Sequence, residues 1–269
     1  MNESNQPVAI VTGASAGIGK AAALELAGKG YIVYLAARRA DKLNEIADAC
    51  RQKGQSAVAV PTDVADAAGV QALVDRAVAE AGRLDVMINN AGYGIFARVG
   101  ETSDADMKRI MDVNYMGVFY GCKAAAAVMM RQKSGHIFNV SSVIGKRGTP
   151  FHGAYCATKF AVAGLTEALR VEMRPYRVRV TLVCPALTET EFFDHSSGGG
   201  AAKSSFVNFK KLMPADAVAR KMVNVIGKKR PEIVFTAGGK FLVLASAIWP
   251  KLADRMMRFY FEDLAKKMK

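Results

Sequence analysis

Cysteine is scarce in this chain of 269 residues, and Cys50, Cys122, Cys156 and Cys184 never stand as C-x-x-C. That spacing argues against a zinc site and a disulfide framework and leaves buried, reduced thiols. Histidine is scarcer still. His136, His152 and His195 lack ligand spacing, so no metal is expected, and only His152 falls near Tyr155. Long apolar runs are missing too: "FLVLASAIW", residues 241–249, cannot cross a bilayer. The opening "MNESNQP" has neither the basic nor the apolar region of a secretory signal. No linker or low-complexity tract divides the chain. A globular, cytoplasmic protein is the expectation.

The charge that is present is uneven. Of a net +13, residues 201–269 carry 15 Lys and Arg against 5 Asp and Glu, a balance of +10. That basic stretch contains no nucleic-acid-reading motif, so a nucleic-acid partner is not expected.

Short β-branched runs alternate with stretches of helical period. "VAIVT", "YIVYLAA", "SAVAVP", "LDVMIN", "HIFNV", "RVRVTLVC" and "EIVFT" read as strands, and 17–29, 39–53, 66–80, 103–132, 153–173 and 214–228 read as helices. The alternation predicts one α/β domain over residues 1–269, a Rossmann-like doubly wound parallel sheet of seven strands with helices on both faces. Residues 191–213 interrupt it with a long irregular segment containing "SSGGG" and Phe192, Phe193, Phe206 and Phe209, which is expected to be a substrate lid.

The first strand leads into "TGASAGIG", Thr12 to Gly19. Gly13, Gly17 and Gly19 permit positive φ and close approach of backbone N–H groups to a pyrophosphate at the start of the next helix. Their G-x-x-x-G-x-G spacing is not the common dinucleotide fingerprint, and a glycine turn without a ligand has the same local pattern. Farther on, Tyr155 and Lys159 stand at i and i+4 on one helix face. An ammonium beside a phenol lowers a pKa that starts near about 10, which would let Tyr155 exchange a proton with a substrate oxygen. An inconsequential surface pair shares that spacing.

Taken together, T-G-x-x-x-G-I-G, "NNAG" at 89–92, Asn114, "SS" at 141–142 and "YCATK" at 155–159 resemble the short-chain dehydrogenase/reductase family over roughly residues 8–195. The resemblance implies an oxidoreductase interconverting a carbonyl and an alcohol, with Tyr155 as proton donor or acceptor. Lys159 would tune Tyr155 and bond the nicotinamide ribose, and Ser142, thirteen residues before Tyr155, would orient the substrate oxygen. Ser141 would be a strand-end hydrogen bonder. Asn114 would hold a water in a proton relay, though a buried asparagine bridging two elements fits the same position. The implied cofactor contacts are Gly13, Ser15, Gly17, Ile18, Gly19, Arg38, Arg39, Asp63, Val64, Asn90, Ala91, Gly92, Tyr155, Lys159, Pro185 and Thr190. Asp63 would meet the adenine amino group and Asn90 the adenosine side. The family's P-G after the sixth strand is absent here; the chain reads "CPALTET", with Ala186 next to Pro185.

The second strand ends "AARR", with Ala37 where NAD-preferring relatives have an aspartate. Arg38 and Arg39 suit the extra phosphate of NADP, so NADP(H) is the expected cofactor, with Arg38 as the main contact. Two solvated arginines opening a helix are the other reading. The substrate is expected to be a small, apolar carbonyl or alcohol compound, and the family's habits imply a homodimer or homotetramer. A catalytically idle NADP(H)-binding scaffold or sensor is the alternative function.

Residues 240–269 form a basic amphipathic extension. Leu252, Met256, Tyr260, Leu264 and Met268 recur at four-residue spacing, with Met257 and Phe261 widening the stripe and Lys251, Arg255, Arg258, Lys266 and Lys267 around it. Two readings stay open: a helix packed on this subunit or a partner subunit, or a peripheral membrane contact through 241–269.

Overall fold

The computed structural model describes residues 6–186, 188–189, 212–236, 238, 246 and 248–267. Thr190, His195, most of the expected lid and Met268 lie outside the described residues. The same holds for the side chains of Met256, Tyr260 and Leu264.

Apolar runs too continuous for a one-sided sheet become strands buried on both faces. β1 (Val8–Thr12), β2 (Ile32–Ala37), β3 (Ala57–Pro61), β4 (Val86–Asn89), β5 (His136–Val140) and β6 (Arg179–Cys184) are parallel. The short strands β7 (Thr188–Glu189) and β8 (Met213–Pro214) pair with each other, and β9 (Glu232–Val234) joins β6. The large sheet has seven strands in the order β3-β2-β1-β4-β5-β6-β9. Its order reverses between β1 and β4, which opens a crevice beyond their carboxyl ends.

Strand periodicity divides the core. Ile10, Met87, Ile137 and Leu182 point to one face, where they meet helices α3 (Ala67–Ala81), α5 (Gly117–Gln132) and α6 (Gly153–Glu172). Ala9, Val11, Leu35, Ile88 and Phe138 point to the other, toward α1 (Gly17–Gly28), α2 (Ala40–Arg51) and α7 (Ala215–Val223). Each fully buried Ile, Leu or Phe contributes about 1.5–3 kcal/mol, against about 0–1 kcal/mol for a surface ion pair, so the two apolar layers set the fold.

The single helix expected over 103–132 is two. α4 (Asp104–Met111), capped by Ser103, leads through one π-helical turn at Asp112–Met116 into α5. Such turns insert an extra residue into the helical ladder and favour functional positions. Here the turn carries Asn114. The C-terminal helix α8 spans Pro250–Lys267. No helix of the described residues is long and apolar enough to cross a membrane.

Candidate active site

The loops after β1 and β4 meet at the switch point. The Thr12 hydroxyl accepts from the backbone N–H groups of Asn90 at 2.9 Å and Ala91 at 3.1 Å. In return, Asn90 Nδ2 donates to the carbonyl oxygens of Thr12 at 3.0 Å and Gly13 at 3.4 Å. The Asn90 side chain therefore holds the glycine turn against β4. Gly13 has φ +66°, and a Cβ there would lie 2.8 Å from Ala91 Cα; a Cβ on Gly19 would strike the Gly13 carbonyl. These two glycines are needed for backbone packing whether or not a ligand is present.

A different feature points to an anion. The N-cap residue of helix α1, Ala16, offers no side-chain cap, and the first turn has no acidic residue. Its unpaired N–H groups and positive end face the crevice. The cleft there, about 470 Å³, is lined by Gly13, Ser15, Gly17, Ile18, Asp63, Val64, Asn90, Ala91 and Gly92, with Arg38 and Arg39 beside them. Arg39 reaches back to the Ser15 hydroxyl, Nη2 at 3.0 Å and Nε at 3.3 Å, while Arg38 is exposed at the rim. An uncapped helix, two guanidinium groups and a glycine-lined wall fit a dinucleotide's phosphates.

Asp63 accepts from Ala65 N at 3.0 Å and pairs with Arg109 Nη2, also at 3.0 Å. Burial pushes its carboxyl up, but the Ala65 and Arg109 hydrogen bonds and the Arg109 and Arg38 charges outweigh it, so its pKa lies below the usual value. Sequence reading missed Arg109, which lies 46 residues from Asp63 on α4 and belongs to no motif. It also missed the role of Thr12, for which a hydroxyl immediately before the glycine turn was an available signal.

The end of β5 and the start of α6 build the second part of the site. Ser141 Oγ donates to the Lys159 carbonyl at 2.9 Å and joins the two elements. Ser142 Oγ lies 3.5 Å from the Pro185 carbonyl and hydrogen-bonds the Tyr155 phenol. The Lys159 ammonium is 5.5 Å from the Tyr155 ring centroid and donates to the Val140 carbonyl at 2.9 Å. Tyr155, Lys159 and Asn114 are all buried.

The expected lowering of the Tyr155 pKa is corrected here. Burial raises it, a neighbouring Cys156 adds to the rise, and the Ser142 hydrogen bond only partly offsets them. Lys159 does not counter this because its ammonium turns to Val140 and is itself desolvated, which brings its own pKa down from 10.5 to about 8. Burial thus favours the neutral phenol.

Asn114 bridges elements with its side chain. Oδ1 accepts from Tyr93 N at 3.0 Å, and Nδ2 donates to the Tyr93 carbonyl at 2.8 Å and to Thr158 Oγ1 at 3.3 Å. A Cβ on Gly92 would lie 3.0 Å from Asn114 Oδ1 and 3.6 Å from Lys159 Nζ, so the NNAG loop closes directly over Asn114 and Lys159. His152 is buried with Nδ1 3.1 Å from the Pro150 carbonyl and its ring edge-on to Phe96. All four cysteines are buried and unpaired with one another.

Two members of the amphipathic C-terminal stripe can be placed among the described residues: Phe261 packs on the body and Leu252 does not. Ala253 is buried, Phe261 stacks on Phe151 with centroids 5.2 Å apart, and Asp254 pairs with Arg147. Leu252, expected on the apolar packing stripe, is exposed.

Dinucleotides bind at the switch point of open parallel sheets, and this crevice, with a Ser-Tyr-Lys cluster beside it, belongs to that class of oxidoreductase. Residues 7–198 match the family model for the short chain dehydrogenase, and the chain belongs to that family. It is 30% identical to a 3-ketodihydrosphingosine reductase of Bacteroides thetaiotaomicron over 94% of this chain and 95% of the relative. To a 3-oxoacyl-[acyl-carrier-protein] reductase FabG of Staphylococcus aureus it is 36% identical over 69% of this chain and 76% of that one. A short chain dehydrogenase/reductase from Burkholderia phymatum, solved in complex with NAD, superposes with a TM-score of 0.86 at 31% identity, covering 94% of this chain and 96% of that one. The chain is thus an oxidoreductase of this family and binds a nicotinamide cofactor.

Proposed function

We propose that the protein is an NADP(H)-dependent reductase of a ketone carried on a molecule with a long apolar chain. The observation that carries this reading is the cluster of Ser142 with the buried Tyr155 and Lys159, with the Lys159 ammonium 5.5 Å from the Tyr155 ring and beside Gly92, which lines a cleft furnished with Arg38 and Arg39. The bound nicotinamide supplies hydride. Ser142 orients the substrate oxygen and Tyr155 donates a proton to it, for which a phenol kept protonated at neutral pH is the required form. Lys159, whose ammonium lies near Gly92 and Asn114, contacts the ribose and passes protons to the phenol. Asn114 holds the relay water through the second lone pair of its carbonyl oxygen.

The arginines support NADP(H) over NAD(H), because a guanidinium pairs a phosphate bidentately and Ala37 leaves no carboxylate for the ribose hydroxyls. The substrate class is supported by the two named relatives, both reductases of a keto or oxo group. It is also supported by the rings of Phe96, Phe151 and Phe261, which stack in sequence beside the start of α6. Loss of NADPH absorbance on mixing with long-chain and short-chain 3-keto compounds tests the reading. Faster turnover of the long chains with NADPH than with NADH is expected. Inactivity on every ketone, or preference for NADH, overturns it.

A further inference from the structure

Helix α8 turns one side to the body and another to solvent. The inner side carries Ala253, Asp254 on Arg147 and Phe261 on Phe151. On the outer side Leu252 and Phe259 are 50% and 59% exposed, and they share a face at i and i+7. Ile248 and Trp249, 55% and 58% exposed, extend that apolar strip just before the first turn. Four of the nine exposed large hydrophobic side chains among the described residues thus fall within residues 248–259. Lys251, Arg255 and Arg258 are exposed along the same side, with Arg255 between Leu252 and Phe259. The acidic residues of the helix are Glu262, which is 3.3 Å from Arg258, Asp254, which faces Arg147, and Asp263.

We propose that this face of α8 docks in the plane of an anionic lipid surface. An exposed apolar strip edged by cations is complementary to a membrane interface: the aliphatic and aromatic groups enter the headgroup boundary while the cations meet lipid phosphates. Trp249, with an apolar ring and one N–H donor, suits the headgroup level. A second copy of the chain fits less well. Apposing two such faces about a twofold axis brings Lys251, Arg255 and Arg258 of both copies together, and like charges facing each other oppose association. The docking does not rest on the proposed function.

The test is co-sedimentation of the full-length protein with phosphatidylcholine vesicles, with and without phosphatidylserine, at low and high salt. Pelleting with the anionic vesicles that declines with salt is expected. W249S/F259S abolishes it, and K251E/R255E weakens it by at least about tenfold, since each basic side chain near such a surface accounts for roughly fivefold in partition. Both variants keep the wild-type melting temperature because the altered residues face solvent. A full-length protein that stays in the supernatant with anionic vesicles at low salt overturns the proposal. So does a change of oligomeric state in W249S/F259S while vesicle binding persists, which assigns the face to a second copy. None of these readouts depends on turnover, so failure here is distinct from failure of the ketone reductase reading.

Discussion

At the glycine turn, Thr12, Gly13, Asn90 and Ala91 interlock through backbone and side-chain hydrogen bonds of 2.9–3.4 Å. Across the molecule, the described contacts of α8 with the body are a buried alanine, a ring stack and an ion pair. In the first region a single added methyl collides with main chain. In the second, large apolar groups stand in water at no steric cost. The contrast separates a part whose shape the sheet enforces from one whose position depends on a few side-chain contacts and on what it meets outside.

The sharpest way to widen that contrast is to remove chemistry without moving the rigid part. Tyr155→Phe is expected to lower kcat by about 10²–10⁴, the range of general acid catalysis, with NADPH affinity within a factor of about two. Steady-state kinetics and fluorescence titration of NADPH check both values. A variant reducing ketones near the wild-type rate removes Tyr155 from the proton step.

Arg38→Asp acts on the rim of the same region. Losing a charge-assisted hydrogen bond and adding a repelling carboxylate is expected to move the NADPH-to-NADH ratio of kcat/KM toward NADH by roughly 10–100-fold. An unchanged ratio leaves Arg38 a solvated surface charge and shifts attention to Arg39, already tied to Ser15.

His136 tests the body against the periphery through pH. Its Nδ1 accepts from Gly227 N and its Nε2 lies 2.8 Å from Thr181 Oγ1, so the ring is locked neutral between β5, β6 and the turn before β9. Burial, aided by the Arg179 charge, lowers its pKa from 6.5 to about 3. The unfolded chain therefore takes up the proton first. The stability this group provides is complete above pH 6.5 and is lost as pH falls toward 3. By pH 5 the loss is about 2 kcal/mol, and chemical denaturation at pH 7.5 and 5 measures it. His136→Gln is expected to show a shallower acid loss; an equal loss assigns it to other groups.

Arg147→Ala should give the smallest effect. Its partner Asp254 is mostly exposed, so loosening α8 costs at most about 1 kcal/mol, a melting shift below roughly 4 °C. A larger drop shows that α8 is more integral to the body than its described contacts imply.

Much of this architecture could be read along the chain. Strand runs such as VAIVT and HIFNV carry their own period and burial, and glycines before a helix announce a crevice because only they adopt the required φ or tolerate the close approach. Even Tyr155, Lys159, Ser142 and Asn114 could be picked out, since the first pair is local to one helix and the others recur at fixed separations. What escaped was decided by residues far apart in sequence. The π turn that sets Asn114 answers to Tyr93 and Thr158, and Arg109 finds Asp63 only after α4 docks.

The chain alone determined the strand-helix alternation, the glycine turn and the identity of the polar groups, because each rests on local conformational preference. The tertiary structure decided their charge states and which faces meet. Burial, a property of the whole packed site, pushes the Tyr155 phenol up, while the Lys159 ammonium turns toward Val140. Likewise α8 buries Ala253 and stacks Phe261 on Phe151 while Leu252 and Phe259 face outward, because a helix presents whichever side matches the surface beneath it.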